Sequence, residues 1–94
     1  MWFEWDAKKA DKNLRKHGVS FDLAVTVFND RLHLSIPDLS SRQEERWITV
    51  GMAADQKTLI VVHTYAEQSG DEVVRIISAR KATKKEKEDY EEGI

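Results

Sequence analysis

The sequence predicts an α+β sandwich: two N-terminal helices, a four-stranded antiparallel β-meander and a C-terminal helix. Three observations predict it. Apolar residues recur at helical spacing as far as Phe28. From Leu32 to Ala79 the period becomes two, with short polar turns between the runs. A Thr83/Glu86 pair at capping-box spacing then opens a last helix. Closely spaced strands joined by short turns mean a meander, and the helices are expected against one sheet face.

Trp2 to Trp5 alternates like a strand, leaving room for a short extra N-terminal strand before the helices. Asp6 is a good N-cap for a helix from Ala7 to His17, and Gly18 suits the left-handed position just past it. Ser20 caps a second helix from Phe21 to about Phe28, whose Phe21, Ala24, Val25 and Phe28 share the core face. Arg31 to Ile36 alternates as a half-buried strand stopped by Pro37-Asp38, with His33 as a solvent-facing spacer. After a polar loop, Arg46 to Met52 is the second strand, with Arg46, Ile48, Val50 and Met52 on one face. Ala53 to Gln56 is a hairpin, Thr58 to Ala66 the third strand, QSGD (68–71) a turn, and Val73 to Ala79 the fourth.

Composition narrows the function. Ninety-four residues give one core and one domain, 1–94, and 40% apolar with 34% charged residues suits a globular chain. No apolar run approaches the ~18 residues of a membrane span, and MWFEWD lacks the pattern of a signal peptide. Zero cysteines exclude disulfides and thiol catalysis and suit a reducing cytosol. His17, His33 and His63 have no close ligand partner, and no phosphate-binding glycine motif occurs, so neither metal nor cofactor is implied. A net charge of −2 argues against a nucleic-acid binder, although Lys8, Lys9, Lys12, Arg15 and Lys16 form one basic cluster and residues 80–87 another.

Arg75 lies inside an apolar strand and Arg80 closes it. Such arginines want an anionic partner, either an internal carboxylate or a phosphate that comes and goes. Strict alternation puts Arg75, Ile77 and Ala79 on one face and Ile76, Ser78 and Arg80 on the other. The two arginines reach one site only if the strand ends or bulges before Arg80. Arg46 and Arg75 are phosphate clamps, or else partners of Glu44, Glu45 or Glu72. His63 and Tyr65 share a strand face and suit proton transfer, but a lone strand histidine is more often structural. His17 near a helix C-terminus has a favourable dipole interaction without any catalysis.

The order Phe3-Glu4-Trp5-Asp6, NLRKHGVSF (13–21), Ala24, Val27-Phe28 and Asp30 resembles the start of the BrnT toxin family. EERW (44–47), Gly51, RIISARKAT (75–83), Glu86 and Tyr90 continue the resemblance over nearly the whole chain. Gln43 departs from it, standing where family members often have glycine, which bears on loop geometry.

The resemblance implies a RelE-like fold and a ribonuclease toxin of a type II toxin–antitoxin module, acting in the cytoplasm to cleave RNA and inhibit translation. It implies neutralisation by a BrnA-type antitoxin with a ribbon-helix-helix part, through which the toxin would meet operator DNA. The chemistry implied needs no metal: the ribose 2′-hydroxyl attacks the adjacent phosphate while the protein positions the strand and stabilises charge. Arg46 and Arg75 are then the leading clamps, with Arg80 next. Glu45, His63 or Tyr65 would move protons, and Lys16 and His17 would hold RNA backbone. The alternative is a toxin-like binding module that acts by protein contact alone.

Overall fold

A computed structural model describes residues 1–42 and 44–93 of the chain, so the expectation for Gln43 lies outside the described residues. The elements run β1 (Trp2–Glu4), α1 (Ala7–His17), α2 (Phe21–Val25), a 3₁₀ turn (Thr26–Asn29), β2 (Leu34–Pro37), β3 (Trp47–Met52), β4 (Thr58–Gln68), β5 (Asp71–Lys81) and α3 (Lys84–Glu91).

Local signals place the helices where they were expected. Asp6 accepts hydrogen bonds from the backbone N–H groups of Lys8 and Lys9, and Gly18 ends α1 at φ 69°. Ser20 caps α2 through the N–H of Leu23. The expected helix to Phe28 tightens into a 3₁₀ turn at Thr26, whose hydroxyl bonds back to the Leu23 carbonyl at 2.6 Å and accepts from the Ala54 N–H. Thr83 and Glu86 form both halves of a capping box at the start of α3.

The sheet differs from the expected four-stranded antiparallel one. Among the described residues it has five strands, in the order β1-β5-β4-β3-β2. β2 to β5 form the antiparallel meander, and β1 adds a parallel edge, with Trp2, Phe3 and Glu4 opposite Val73, Val74 and Arg75. The edge strand is fixed from its inner side, where Phe3 packs on Phe28 and Trp5 on Phe21. β2 starts only at Leu34. Asp30 holds residues 31–33 in a turn by accepting from the Leu32 N–H, while its carbonyl accepts from Nδ1 of a half-buried His33 rather than a solvent-facing one. β4 and β5 run longer than expected because Ser69 and Gly70 (φ 52° and 84°) make a two-residue hairpin turn of the twist that suits strands.

The decisive irregularity is a bulge. Val62 pairs with Ser78 but the next β4 residue, His63, pairs with Ile76, so Ile77 is an extra residue in β5. Alternation therefore resets within β5. Arg75, Ser78 and Arg80 stand opposite Thr64, Val62 and Ile60, on one face, while Ile76 and Ala79 stand opposite His63 and Val61, on the other. The parity read from sequence, which separated Arg75 from Arg80, is thus corrected by the bulge that was its stated exception.

The core fills the second face: Val19, Phe21, Ala24 and Val27 pack on Leu59, Val61, Val74 and Ile76. β3 presses so closely on the 3₁₀ turn that a Cβ on Gly51 would lie 2.7 Å from Val27 Cγ1. Asn13, buried in α1, closes the outer edge of β5 beyond the reach of β1. Its amide donates to the carbonyls of Ala79 (2.8 Å) and Val19 (2.9 Å) and accepts from the Ala79 N–H (3.0 Å). The helices do not all share one face. α3 borders the opposite side, where Glu86, Asp89 and Tyr90 wall a groove floored by β2, β3 and β4. Among the described residues no helix is long and apolar enough to cross a membrane.

Candidate functional site

The side of the sheet away from the core is a groove of about 400 Å³. Leu34, Ile36, Ile48, Val50, Ile60 and Val62 form its apolar floor. Arg80 and α3 close one end. Past the other end of the floor, at the level of Thr64, stand two arginine–carboxylate pairs.

Arg75 stands opposite Thr64 on β4, and Arg46 precedes Trp47, which pairs with His63. Arg46 therefore continues β3 to the level of Thr64 on the same face as Ile48. The two arginines flank β4, their backbones roughly two strand spacings, about 10 Å, apart. Each is held by a carboxylate: Arg75 Nη1 by Glu4 at 2.7 Å and Arg46 Nε by Glu44 at 3.1 Å. These pairs are solvent-open, with side chains 45% and 43% exposed in the first and 36% and 47% in the second. Contacts of that kind stabilise by about 0–1 kcal/mol and exchange readily for another anion.

Arg80 is placed differently. Its guanidinium makes a bidentate bond to Glu86 at 2.7 and 2.8 Å, and the same carboxylate accepts from the Thr83 N–H. The bond to Arg80 is the main cause that holds the Glu86 carboxyl at about 2, and it raises Arg80 further above its ordinary value. Arg80 thus fastens α3 to the sheet rather than presenting a free fork. A second fastener joins Tyr90 and Asp30, which also accepts from the Met52 N–H; burial first and then Asp30 push the Tyr90 hydroxyl up to about 12.

His63 and Tyr65 do share a face, but it is the core face. His63 is fully buried, edge-on to Phe28 and Tyr65 at 5.0 and 4.9 Å. Its Nε2 is hydrogen-bonded to Thr49 Oγ1 at 2.6 Å, and Thr49 in turn to Ser35 Oγ. Burial lowers its pKa to about 4, so it is neutral at pH 7. Tyr65 packs edge-on against Trp47. The sheet itself separates both from Arg46 and Arg75. Glu45 is exposed, immediately before Arg46.

Lys16 and His17 lie at the end of α1, away from the groove floor. They line a second cleft with Lys9, Lys12, Ile77 and Ser78. Sequence reading noted the basic cluster but not its geometry. Lys9, Lys12 and Lys16 fall at i, i+3 and i+7, one helical face, and that spacing was the available signal. The apolar floor was likewise missed, although Leu34/Ile36, Ile48/Val50 and Ile60/Val62 alternate in three successive strands. Among the described residues no three His, Asp or Glu side chains gather closely enough to hold a metal ion.

Residues 5–86 match the sequence model of a family described as the ribonuclease toxin, BrnT, of type II toxin–antitoxin systems. The chain belongs to the BrnT family. The matched span includes both distinctive motifs, KHGVSF and RIISAR, and ends before Tyr90. Among solved structures, the 1.1 Å crystal structure of the Brucella abortus ribonuclease toxin BrnT is similar, with a TM-score of 0.65 and 20% identity. The similarity covers 89% of this chain and 99% of that one. At that identity it shows a shared BrnT fold, with the five-stranded sheet and three helices described above. No curated protein sequence matches the chain.

Proposed function

We propose that this BrnT-family chain, 1–94, is a single toxin domain that cleaves RNA without a metal ion on the open sheet face. One observation carries the proposal: two guanidinium groups, Arg75 and Arg46, flank β4 just past the end of the groove's apolar floor, each held by a solvent-open carboxylate. A phosphodiester displaces Glu4 and Glu44 from them. The ribose 2′-hydroxyl then attacks the adjacent phosphorus in line, forming a 2′,3′-cyclic phosphate, as the P–O5′ bond breaks and the departing 5′-oxygen takes a proton from solvent water. The growing negative charge on the phosphate oxygens is what planar, permanently charged forks stabilise. Glu45, exposed and next to Arg46 in the chain, is our candidate for taking the 2′-hydroxyl proton. His63 and Tyr65 support the fold from the far side of the sheet, and Arg80 holds α3.

In the cytoplasm such cleavage would inhibit translation, and a BrnA-type antitoxin with a ribbon-helix-helix part would neutralise the toxin and carry it to operator DNA. Inducing the chain in cells and mapping RNA ends tests the activity: new 5′-hydroxyl ends accompanying growth arrest are expected. Growth arrest without new ends favours the second reading, a toxin that acts by protein contact through the apolar floor, where Ile36 is 59% exposed.

A further inference from the structure

The cleft between α1 and the bulge of β5 differs in its lining from the other clefts described, each of which includes a carboxylate. One wall is Lys9, Lys12, Lys16 and His17; the other is Ile77 and Ser78. Among the described residues no carboxylate lines it. Among the described residues only Arg46, Arg75, Arg80 and Lys85 pair with an acid, and Lys9, Lys12 and Lys16 are among the many cations that do not; what sets these three apart is that they gather on one wall of one cleft. Asp6, whose carboxylate feels Lys9, is committed to capping α1. The three lysines sit at spacings where like charges repel across one or two helical turns, so the helix itself gains nothing from the arrangement.

The backbone opposite them is open as well. β1 covers β5 only as far as Arg75, and Asn13 takes up Ala79, so the edge at Ile77 and Ser78 carries no strand partner among the described residues. The bulge supplies the link to the groove. Ser78 lines the cleft, and it also stands opposite Val62 in the register of the open face, with Arg75 on that same face.

We infer that this cleft binds the phosphodiester backbone of single-stranded RNA and leads the strand across Ser78 toward Arg75. The binding claim stands on the cleft; the direction toward Arg75 rests on the ribonuclease reading. Three ammonium groups on one helical face match successive phosphates, and single-strand binding by such contacts releases counterions.

The test uses the full chain and a short single-stranded 2′-O-methyl oligoribonucleotide, which lacks the attacking hydroxyl and stays intact. Affinity is read by fluorescence anisotropy across salt. The variant is Lys9→Gln/Lys12→Gln/Lys16→Gln, and Lys57→Gln/Lys84→Gln/Lys87→Gln carries the same charge change elsewhere. At about 0.7 per phosphate, loss of three contacts lowers the slope of log K against log salt by about 2. Affinity near 0.1 M salt then falls by about 100-fold, converging with wild type near 1 M. The control triple is expected to change affinity by less than about threefold. Equal losses in both triples, an unchanged slope, no binding by wild type, or loss of antitoxin binding with RNA affinity intact would each overturn the inference. Cleavage of unmodified RNA is followed separately. If wild type leaves RNA intact while the cleft variant still loses affinity, the ribonuclease reading fails and the cleft stands.

Discussion

Replacing Asn13 with alanine removes the side chain that finishes the outer edge of β5. Three backbone groups lose a partner: the carbonyls of Val19 and Ala79 and the N–H of Ala79. A buried group left unsatisfied costs about 1–3 kcal/mol. The neighbouring cleft, which Asn13 also lines, admits water that recovers part of this. The low end of the range is therefore appropriate, about 3 kcal/mol in total. Domains of this size hold about 5–15 kcal/mol and lose about 4–8 °C of Tm per kcal/mol, so melting should fall by about 15 °C. Asn13→Asp should be worse at neutral pH, because a carboxylate can accept from the Ala79 N–H but offers no donor to the two carbonyls. Urea and thermal unfolding followed by circular dichroism measure both variants. An Asn13→Ala chain melting within about 2 °C of wild type would refute the reasoning.

Other outcomes follow from the buried and paired groups. Glu86 sits at about 2 in the fold against an ordinary 4.5, chiefly through Arg80. Its contribution is present above the ordinary value and lost as pH falls toward 2; with the side chain 34% exposed, it amounts to about 1 kcal/mol after solvent screening. Wild type and Glu86→Gln should thus differ in urea midpoint at pH 7 and converge near pH 2. His63 is lowered to about 4 by burial, so the unfolded chain takes up its proton near 6.5 and the folded chain does not. Stability falls on this account by up to ~3 kcal/mol between those values, and NMR titration of the His63 ring should give a midpoint near 4. Gly51→Ala places a Cβ against Val27 and His33 and should destabilise by about 1–3 kcal/mol in urea unfolding.

What was legible in the sequence was mostly local. Asp6 and Gly18, Ser20, and Thr83 with Glu86 each announce a helix end through side chains a few residues apart, and each end lies there. Alternation correctly paired His63 with Tyr65 and Ile48 with Val50. Parity, however, does not say which face the helices cover, so the same alternation left His63 and Tyr65 as proton-transfer candidates when they face the core. The bulge at Ile77 was invisible because a register shift belongs to two strands together, and RIISAR alternates as well without it. The parallel seating of β1 was hidden for a related reason. Three residues carry too little pattern to name a partner, and the pairing with Val73–Arg75 is settled by Phe3 and Trp5 reaching Phe28 and Phe21. Arg80 could be read either way until Glu86 was seen within 2.7 Å of it.

The most direct test of the central claim is cleavage by the purified chain in the presence of a chelator, comparing wild type with Arg75→Ala under single-turnover conditions. Arg75 contributes only an exposed ion pair to stability, so the variant should melt close to wild type. Removing a group that stabilises transition-state charge should slow cleavage by about 10²–10³-fold. Wild type is expected to generate 2′,3′-cyclic phosphate and 5′-hydroxyl ends with chelator present. Equal rates for the two proteins would remove Arg75 from the site, and cleavage abolished by the chelator would contradict the metal-independent mechanism.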